Sequence, residues 1–482
     1  MSLLLLAIFL GAATPEILLA QTGSLYGGAG NQYGYRVKAT RDGGFIVGGG
    51  TDAKGAGSYD YWVMRFDNHA QPLWDSAYGR PVYDNLWSIE PTSDNGALIA
   101  GFSGVQNSGT EEALMYKIDS VGRVVKKIEV DYSLGDHAHW FKQMNDGNYY
   151  WAGHTDSKGD PLGDMILQKL DKSFKLVWEK TYDFGSSEHC HAGAIAHDNG
   201  CMLIGHTTIN NREKFYAVRT DTLGKVMWQK TYSSDPKLHD SPYDVVATTE
   251  GNFAFFGGSQ FDSSTMWLLV VDSIGKPIID KHFAIGQSFC WSGVQTSDSG
   301  FALIGTSTKF GENQKMHIVK TDKNGNRQWE KTYGNGNGDE ALSIIQRGKQ
   351  YIAVGDGPDD AGKADLWVVV MDSVGNLATF DTSHASLNTR SYTYDNGTRL
   401  DQNFPNPSNT STTIGFTLTK SDRVTISILS ADGAEVFKVY ERSAEVGQHY
   451  LNVNISGLSS GTYYYQLKTS SATITRPMTV VR

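Results

Sequence analysis

Cysteine is scarce in this chain of 482 residues: there are 3, Cys190, Cys201 and Cys290. An odd, small number is no disulfide framework, and the three read as free buried thiols. Cys201 falls where most equivalent segments carry Phe or Tyr, which makes it a small core residue. Blocks of Lys or Arg are also missing, and the net charge is -10. That balance excludes nucleic acid and anionic membrane surfaces as natural partners. Only one long apolar run exists, Leu3–Ala13. It is too short to cross a bilayer but has the length of a signal-peptide core. We therefore expect a signal peptide over 1–20, cleaved before Gln21, although no Lys or Arg precedes the run. No segment of the mature chain reads as a transmembrane span. Nor is there a G-x-S-x-G elbow, a P-loop or an H-E-x-x-H zinc helix. Carboxylates are plentiful, so a glycosidase-like or lyase-like pair stays open.

What is abundant is glycine, at 53, and aromatic residues, at 11%. Both favour an all-β chain. They are also periodic. A tight-turn pair recurs as Asp42-Gly43, Asp94-Asn95, Asp146-Gly147, Asp198-Asn199, Glu250-Gly251, Asp298-Ser299 and, degenerate, Gly348-Lys349. The intervals are 52, 52, 52, 52, 48 and 50 residues, so one unit occurs seven times. Each unit reads as four strands. Strand a ends at the turn. Strand b, such as FIVGGGT, closes on a glycine: Gly49, Gly101, Gly153, Gly205, Gly257, Gly305 or Gly355. A side chain there would block a close backbone approach. Strand c is an apolar run ending at Asp67, Asp119, Asp171, Asp221, Asp272, Asp322 or Asp372. A D-x-x-G turn then opens strand d, often with Trp seven residues after the Asp: Trp74, Trp178, Trp228 and Trp329.

A four-stranded sheet cannot bury both faces alone, whereas seven stacked radially can. The expected fold is thus a seven-bladed β-propeller over 22–385, with an open solenoid as the alternative. Closure has its own signal. Ser24–Gly28 resembles the end of a strand d, and Tyr26 stands nine residues before Tyr35, as Tyr333 does before Leu342. The seventh unit's own strand d, LATFDT, lacks both Trp and Tyr, so the N-terminal segment is expected to complete the last blade. The D-x-x-G-x-x-x-W stretch resembles the docking motif of quinoprotein propellers, a packing motif. The whole unit resembles repeats of secreted prokaryotic propellers, which implies a fold and no activity.

Beyond 385 the repeat stops. Residues 386–401 are polar and read as a linker. Over 402–482, strands alternate with turns at intervals of about ten, as in a small Ig-like β-sandwich. This stretch resembles the type A C-terminal sorting domain of the type IX secretion system. The matching residues are Asn403-Phe404-Pro405-Asn406-Pro407, the strand Thr412–Leu418, Asp432-Gly433, Ser460-Gly461-Thr462-Tyr463 and the closing Thr475–Arg482. In place of the usual Lys before the last apolar residues stands Arg476-Pro477. The resemblance implies a Gram-negative bacterium, with the type IX machinery as partner and the secreted or cell-surface protein as product.

Two sets of residues draw attention. Aligned strand a segments give one hub position: Tyr35, Trp87, His139, His191, Tyr243, Trp291 and Leu342. Three residues earlier stand Gln32, Asp84, Asp136, Glu188, Asp240, Ser288 and Asp339. Aromatic faces with acids beside them suit a sugar or cation, with Tyr35, Trp87, Tyr243 and Trp291 as the ligand-binding candidates. The other reading makes the rings blade wedges and the acids turn caps. The second set is histidine. Units three and four carry His137, His139, His154 and His189, His191, His206 at equivalent positions. Imidazoles two apart on a strand can chelate a divalent transition metal such as zinc. Alternatively, both units kept their histidines after a duplication.

Three functions follow: a binding or adhesion module for extracellular glycan or protein, a metal-assisted extracellular hydrolase or lyase, or a structural surface protein. The first needs the fewest assumptions, since no catalytic group is unambiguous.

Overall fold

In the computed structural model, the residues described are 24–377 and 399–482. Exceptions are 28–29, 106–109, 131–133, 160–162, 261–264, 285, 309–313, 335–337, 359–362, 401–402, 404–405, 419, 431–433 and 471–472. The expected signal peptide, almost all of the linker, and Phe404, Pro405, Asp432 and Gly433 of the sorting motif lie outside them.

Before the C-terminal part the chain builds seven four-stranded antiparallel sheets. Blade 1 comprises Gln32–Ala39, Phe45–Thr51, Asp60–Phe66 and Pro72–Tyr78 as strands a to d. Blades 2 to 6 repeat the pattern over 84–130, 136–182, 188–232, 239–283 and 287–333. Blade 7 has strands a to c at Ser343–Arg347, Gln350–Pro358 and Ala364–Met371. Its strand d is Ser24–Tyr26 from the other end of the chain, pairing antiparallel through Ser24↔Val368 and Tyr26↔Leu366. The ring is therefore closed, and by the segment whose tyrosine spacing pointed to it.

Packing explains why a ring forms. Strands b and c are almost wholly buried, while strand d is partly exposed at the perimeter. Seven apolar clusters fill the blade interfaces, each joining two neighbours. Between blades 7 and 1, for instance, Ile352, Val354 and Leu366 meet Val37, Phe45 and Trp62. Hydrophobic burial thus acts across every seam and leaves no blade stable by itself.

Polar devices set the register. Each Asp after strand c accepts two backbone N–H bonds within its turn, as Asp272 Oδ1 does from Ile274 and Lys276. The strand d Trp residues donate to the next blade's turn: Trp74 to Ser120 O, Trp228 to Ser273 O and Trp329 to Ser373 O. Tyrosines do likewise, and Tyr26 OH approaches Ala70 O of blade 1 at 3.5 Å, closing the circle.

The C-terminal part has two sheets. One pairs Arg399–Leu400, Ser411–Leu418 and Gly447–Asn454; the other orders Glu435–Ala444, Asp422–Leu429, Gly461–Lys468 and Thr473–Val480. Ile414, Phe416, Ile426, Tyr465 and Leu467 form their shared core. The motif asparagines brace it: Asn403 N–H donates to Tyr465 OH at 2.7 Å and Asn406 Oδ1 accepts from Thr479 N–H at 2.7 Å.

Candidate functional site

The site begins with an irregularity in the innermost strand. In blades 1 to 6 the ladder between strands a and b skips one residue, at Tyr35, Trp87, His139, His191, Tyr243 and Trp291. Each hub residue is thus the extra residue of a β-bulge, which re-aims its side chain. In blade 7, Leu342 N–H donates to Val354 O while Ser343 pairs with the same Val354. The strand b glycine belongs to this device. A methyl group at Gly205 would stand 1.6 Å from His189 O, and one at Gly153 1.7 Å from His137 O. The backbone approaching the glycine is therefore strand a of its own blade.

The bulged side chains meet around the hub. Tyr35–Trp87, Trp87–His139, His139–His191, His191–Tyr243 and Tyr243–Trp291 have ring centroids 6.4, 5.4, 5.9, 5.1 and 4.7 Å apart. All four aromatic candidates thus belong to one arc over six blades. Leu342 interrupts it and is buried. The indole Nε1 atoms of Trp87 and Trp291 are buried and have no hydrogen-bond partner among the described residues.

All six histidines converge on the blade 3–4 side of this mouth. His137 pairs directly with His154 and His189 with His206 across their ladders, so each pair shares a face. Centroid separations are 4.4 Å for His137–His154, 4.4 Å for His154–His189 and 4.9 Å for His189–His206. His137, His139 and His154 each offer a ring nitrogen, all within 4.8 Å of one another. His191 Nε2 lies 2.9 Å from His206 Nδ1, so one carries the proton the other accepts. His139 Nε2 and His154 Nδ1 are buried without a partner among the described residues.

Burial first, and neighbouring imidazoles second, hold His139 and His154 well below their ordinary value. His191 is lowered for the same reasons, and burial brings His206 down to about 4 against the opposing pull of Glu213. These rings are neutral at pH 7, the form that ligates metal.

Beneath the arc is a cavity of about 260 Å³, whose wall includes Trp87, His139, His191, Arg36, Glu90 and Asp244. Burial works to raise Glu90, yet Lys142 and Lys38 outweigh it and hold Glu90 at about 2. The Arg36 guanidinium makes one hydrogen bond, to Tyr35 O at 3.1 Å.

The acids three residues before the hub position do not face this cavity. They are buried in the frame: Glu188 accepts from Thr207 Oγ1 at 2.6 Å, Asp136 from Ser157 Oγ at 3.0 Å, and Asp84 from Arg80 N–H at 2.7 Å. These acids thus stand apart from the hub rings, in the seams between blades. Their strand position precedes the bulge, so they keep the regular orientation.

Sequence reasoning missed several neighbours. Glu111 opens strand c of blade 2, and its Oε2 lies 2.5 Å from His137 Nε2, where it orients the ring. Tyr33, Tyr59, Tyr83 and Phe102 extend the aromatic arc outward to His137. Reading the position two before the hub residue, already used for histidine, finds Tyr33. Phe102 holds the repeat position of His154 and His206, so the same spacing finds it; Tyr59 and Tyr83 lie on loops whose return to the mouth no spacing shows. The three cysteines are free and buried. Burial pushes the Cys190 thiol up to about 12.

Residues 402–481 match the family described as the secretion system C-terminal sorting domain. The protein is an exported β-propeller. Its C-terminal domain engages the type IX secretion machinery and sends it to the surface or exterior of a Bacteroidetes-type Gram-negative cell. No curated protein matches the chain in sequence. Among solved structures it is similar to the β-propeller domain of the Trilobed protease from Pyrococcus furiosus, at 10% identity, covering 74% of this chain and 97% of that one, with a TM-score of 0.41. It is also similar to Sqt1 from Chaetomium thermophilum, at 13% identity, 74% and 87% coverage and a TM-score of 0.43. The propeller is read here from its strand pairing, and likeness at this level says nothing of ligand or reaction. No helix among the described residues is long and apolar enough to cross a membrane.

Proposed function

We propose that this exported protein is a binding module for an extracellular glycan or protein, and that the ligand seats on the hub mouth. On this reading the chain divides into a leader over 1–20, the propeller over 22–385, a linker over 386–401 and the sorting sandwich over 402–482. One observation carries the assignment. Four ring nitrogens at the mouth, on Trp87, Trp291, His139 and His154, are buried without partners among the described residues. Native proteins rarely leave such groups unsatisfied, and a ligand with hydroxyl or carbonyl oxygens supplies what they need. The faces of Tyr35, Trp87, Tyr243 and Trp291 add the apolar platforms on which sugar rings or side chains pack. A glycan array followed by titration calorimetry tests this. Trp87→Ala and Trp291→Ala should each weaken binding about tenfold or more. Binding unchanged in both variants overturns the placement.

A second reading is favoured by the three nitrogens of His137, His139 and His154. With His189, His191 and His206 beside them, they suit a transition metal such as zinc, and three protein ligands leave a position for water. The protein is then a metal-assisted hydrolase or lyase. Elemental analysis after zinc reconstitution decides the first half. Loss of turnover in His139→Ala and His191→Ala decides the second.

A further inference from the structure

Away from the hub, the blade seams carry a recurring pair. A residue at or near the start of strand c stands opposite one at or near the end of strand b in register: Thr51↔Asp60, Thr155↔Asp164 and Thr207↔Lys214. It also meets the residue opening strand a of the next blade. Between blades 4 and 5 the pair is Lys214 and Asp240, both buried, with Nζ 3.4 Å from Oδ2. In blade 2 the corresponding Glu112 is ion-paired with Arg80, which stands in the turn between blades 1 and 2. Between blades 4 and 5 a basic side chain itself takes the place of one acid.

Between blades 1 and 2, and between blades 3 and 4, acid faces acid. Asp60 and Asp84 are both fully buried, at 0% exposure, and Oδ1 of each has no hydrogen-bond partner among the described residues. A methyl group at Gly79 would stand 2.1 Å from Asp60 Oδ1 and 2.5 Å from Asp84 Oδ2, so both carboxylates converge on one gap. At the equivalent place in the next odd blade, Asp164, Asp183 and Glu188 each offer an oxygen, all within 4.8 Å of one another. Glu188 is at 0% exposure; its Oε1 accepts from Thr207, and its Oε2 has no partner among the described residues. Burial raises Asp60, Asp84 and Glu188 against the hydrogen bonds they accept; Asp60 adds to the rise of Asp84, which the Arg80 charge opposes, and Asp183 and Asp164 add to that of Glu188.

Carboxylates this close, all buried but the exposed Asp183, are not all ionised unless a positive charge joins them. Blade 4 provides that charge covalently, as an ammonium. At the two acidic seams the donors are oxygens only, with no imidazole or thiolate, a set that suits a hard ion over zinc or copper. We propose that the seams between blades 1 and 2 and between blades 3 and 4 each bind a divalent hard cation, calcium, in the seat that the Lys214 ammonium takes between blades 4 and 5. The ion ties neighbouring blades together. It is separate from any transition metal held by the histidines.

The test uses the purified mature chain, freed of metal with EGTA, dialysed, and titrated with CaCl2 at pH 7. Two calcium ions should bind per chain, and Tm should rise on their addition. Asp164→Lys places an ammonium where Lys214 has one. It should bind one ion fewer and have a higher Tm than the wild type in EGTA. Asp60→Lys should do the same for the other seam, and the double variant should bind none. If a lysine variant does not fold, Glu188→Gln and Asp84→Asn report the same loss of one ion each. Absence of calcium binding and of any Tm shift in the wild type overturns the proposal and assigns shared protons to the acids. A full complement of calcium in Asp164→Lys overturns it too. Zinc failing to bind the histidines would leave the calcium count unchanged, so the two readings fail separately.

Discussion

At the scale of single residues, the hub mouth is an arrangement of groups kept from their ordinary protonation or hydrogen bonding. His139, His154, His191 and His206 stay neutral through burial and the neighbouring imidazoles. On blade 7, Asp356 is pushed up to about 7, by burial first and then by Glu340 and Asp339. Since its folded value lies above the 3.8 of an ordinary aspartate, the folded state binds the proton more tightly. The contribution of this group is complete below about pH 4 and is lost as pH rises toward 7. It amounts to at most about 4 kcal/mol. Wild-type Tm should therefore fall between pH 5 and pH 8 by more than that of Asp356→Asn. Parallel thermal melts of the two proteins check this, and equal slopes would contradict it.

The strands show how a residue choice becomes a geometry. A bulge in strand a turns one side chain into the hub, and the same bulge drives a carbonyl onto strand b. Only a residue without a Cβ fits beneath that carbonyl. Gly205→Ala puts a methyl 1.6 Å from His189 O and should cost about 2–3 kcal/mol or more. It should also shift the ring of His191, visible as altered histidine resonances by NMR. The seams are tuned more gently. Tyr333 OH donates to Gly375 O at 2.6 Å, and Tyr333→Phe should lower stability by about 1 kcal/mol in denaturant melts.

For the whole molecule, closure is the decisive event. Ser24–Tyr26 covers strand c of blade 7, and Tyr26 reaches blade 1. Removing residues 21–27 should leave seven sheets with one open seam. We expect a lower Tm and proteolysis starting in blade 7 or blade 1, read by mass spectrometry of the first fragments. Removal of 402–482 acts on another level: the propeller should fold but no longer reach the cell exterior, measured by fractionation.

The repeats, the turn pairs, the strand b glycines and the sorting motif were legible along the chain, because each obeys a local rule of spacing or backbone sterics. Blade number, closure by the N-terminal strand and the histidine grouping followed from them. The hub acids and the loop tyrosines of the outer aromatic arc did not. Whether Asp84 faces the cavity or the frame depends on a one-residue bulge, and Glu111 meets His137 only because separate blades are packed side by side. Local chemistry wrote the units into the sequence. The ring decided which of their side chains share a space, since that depends on contacts between residues remote along the chain.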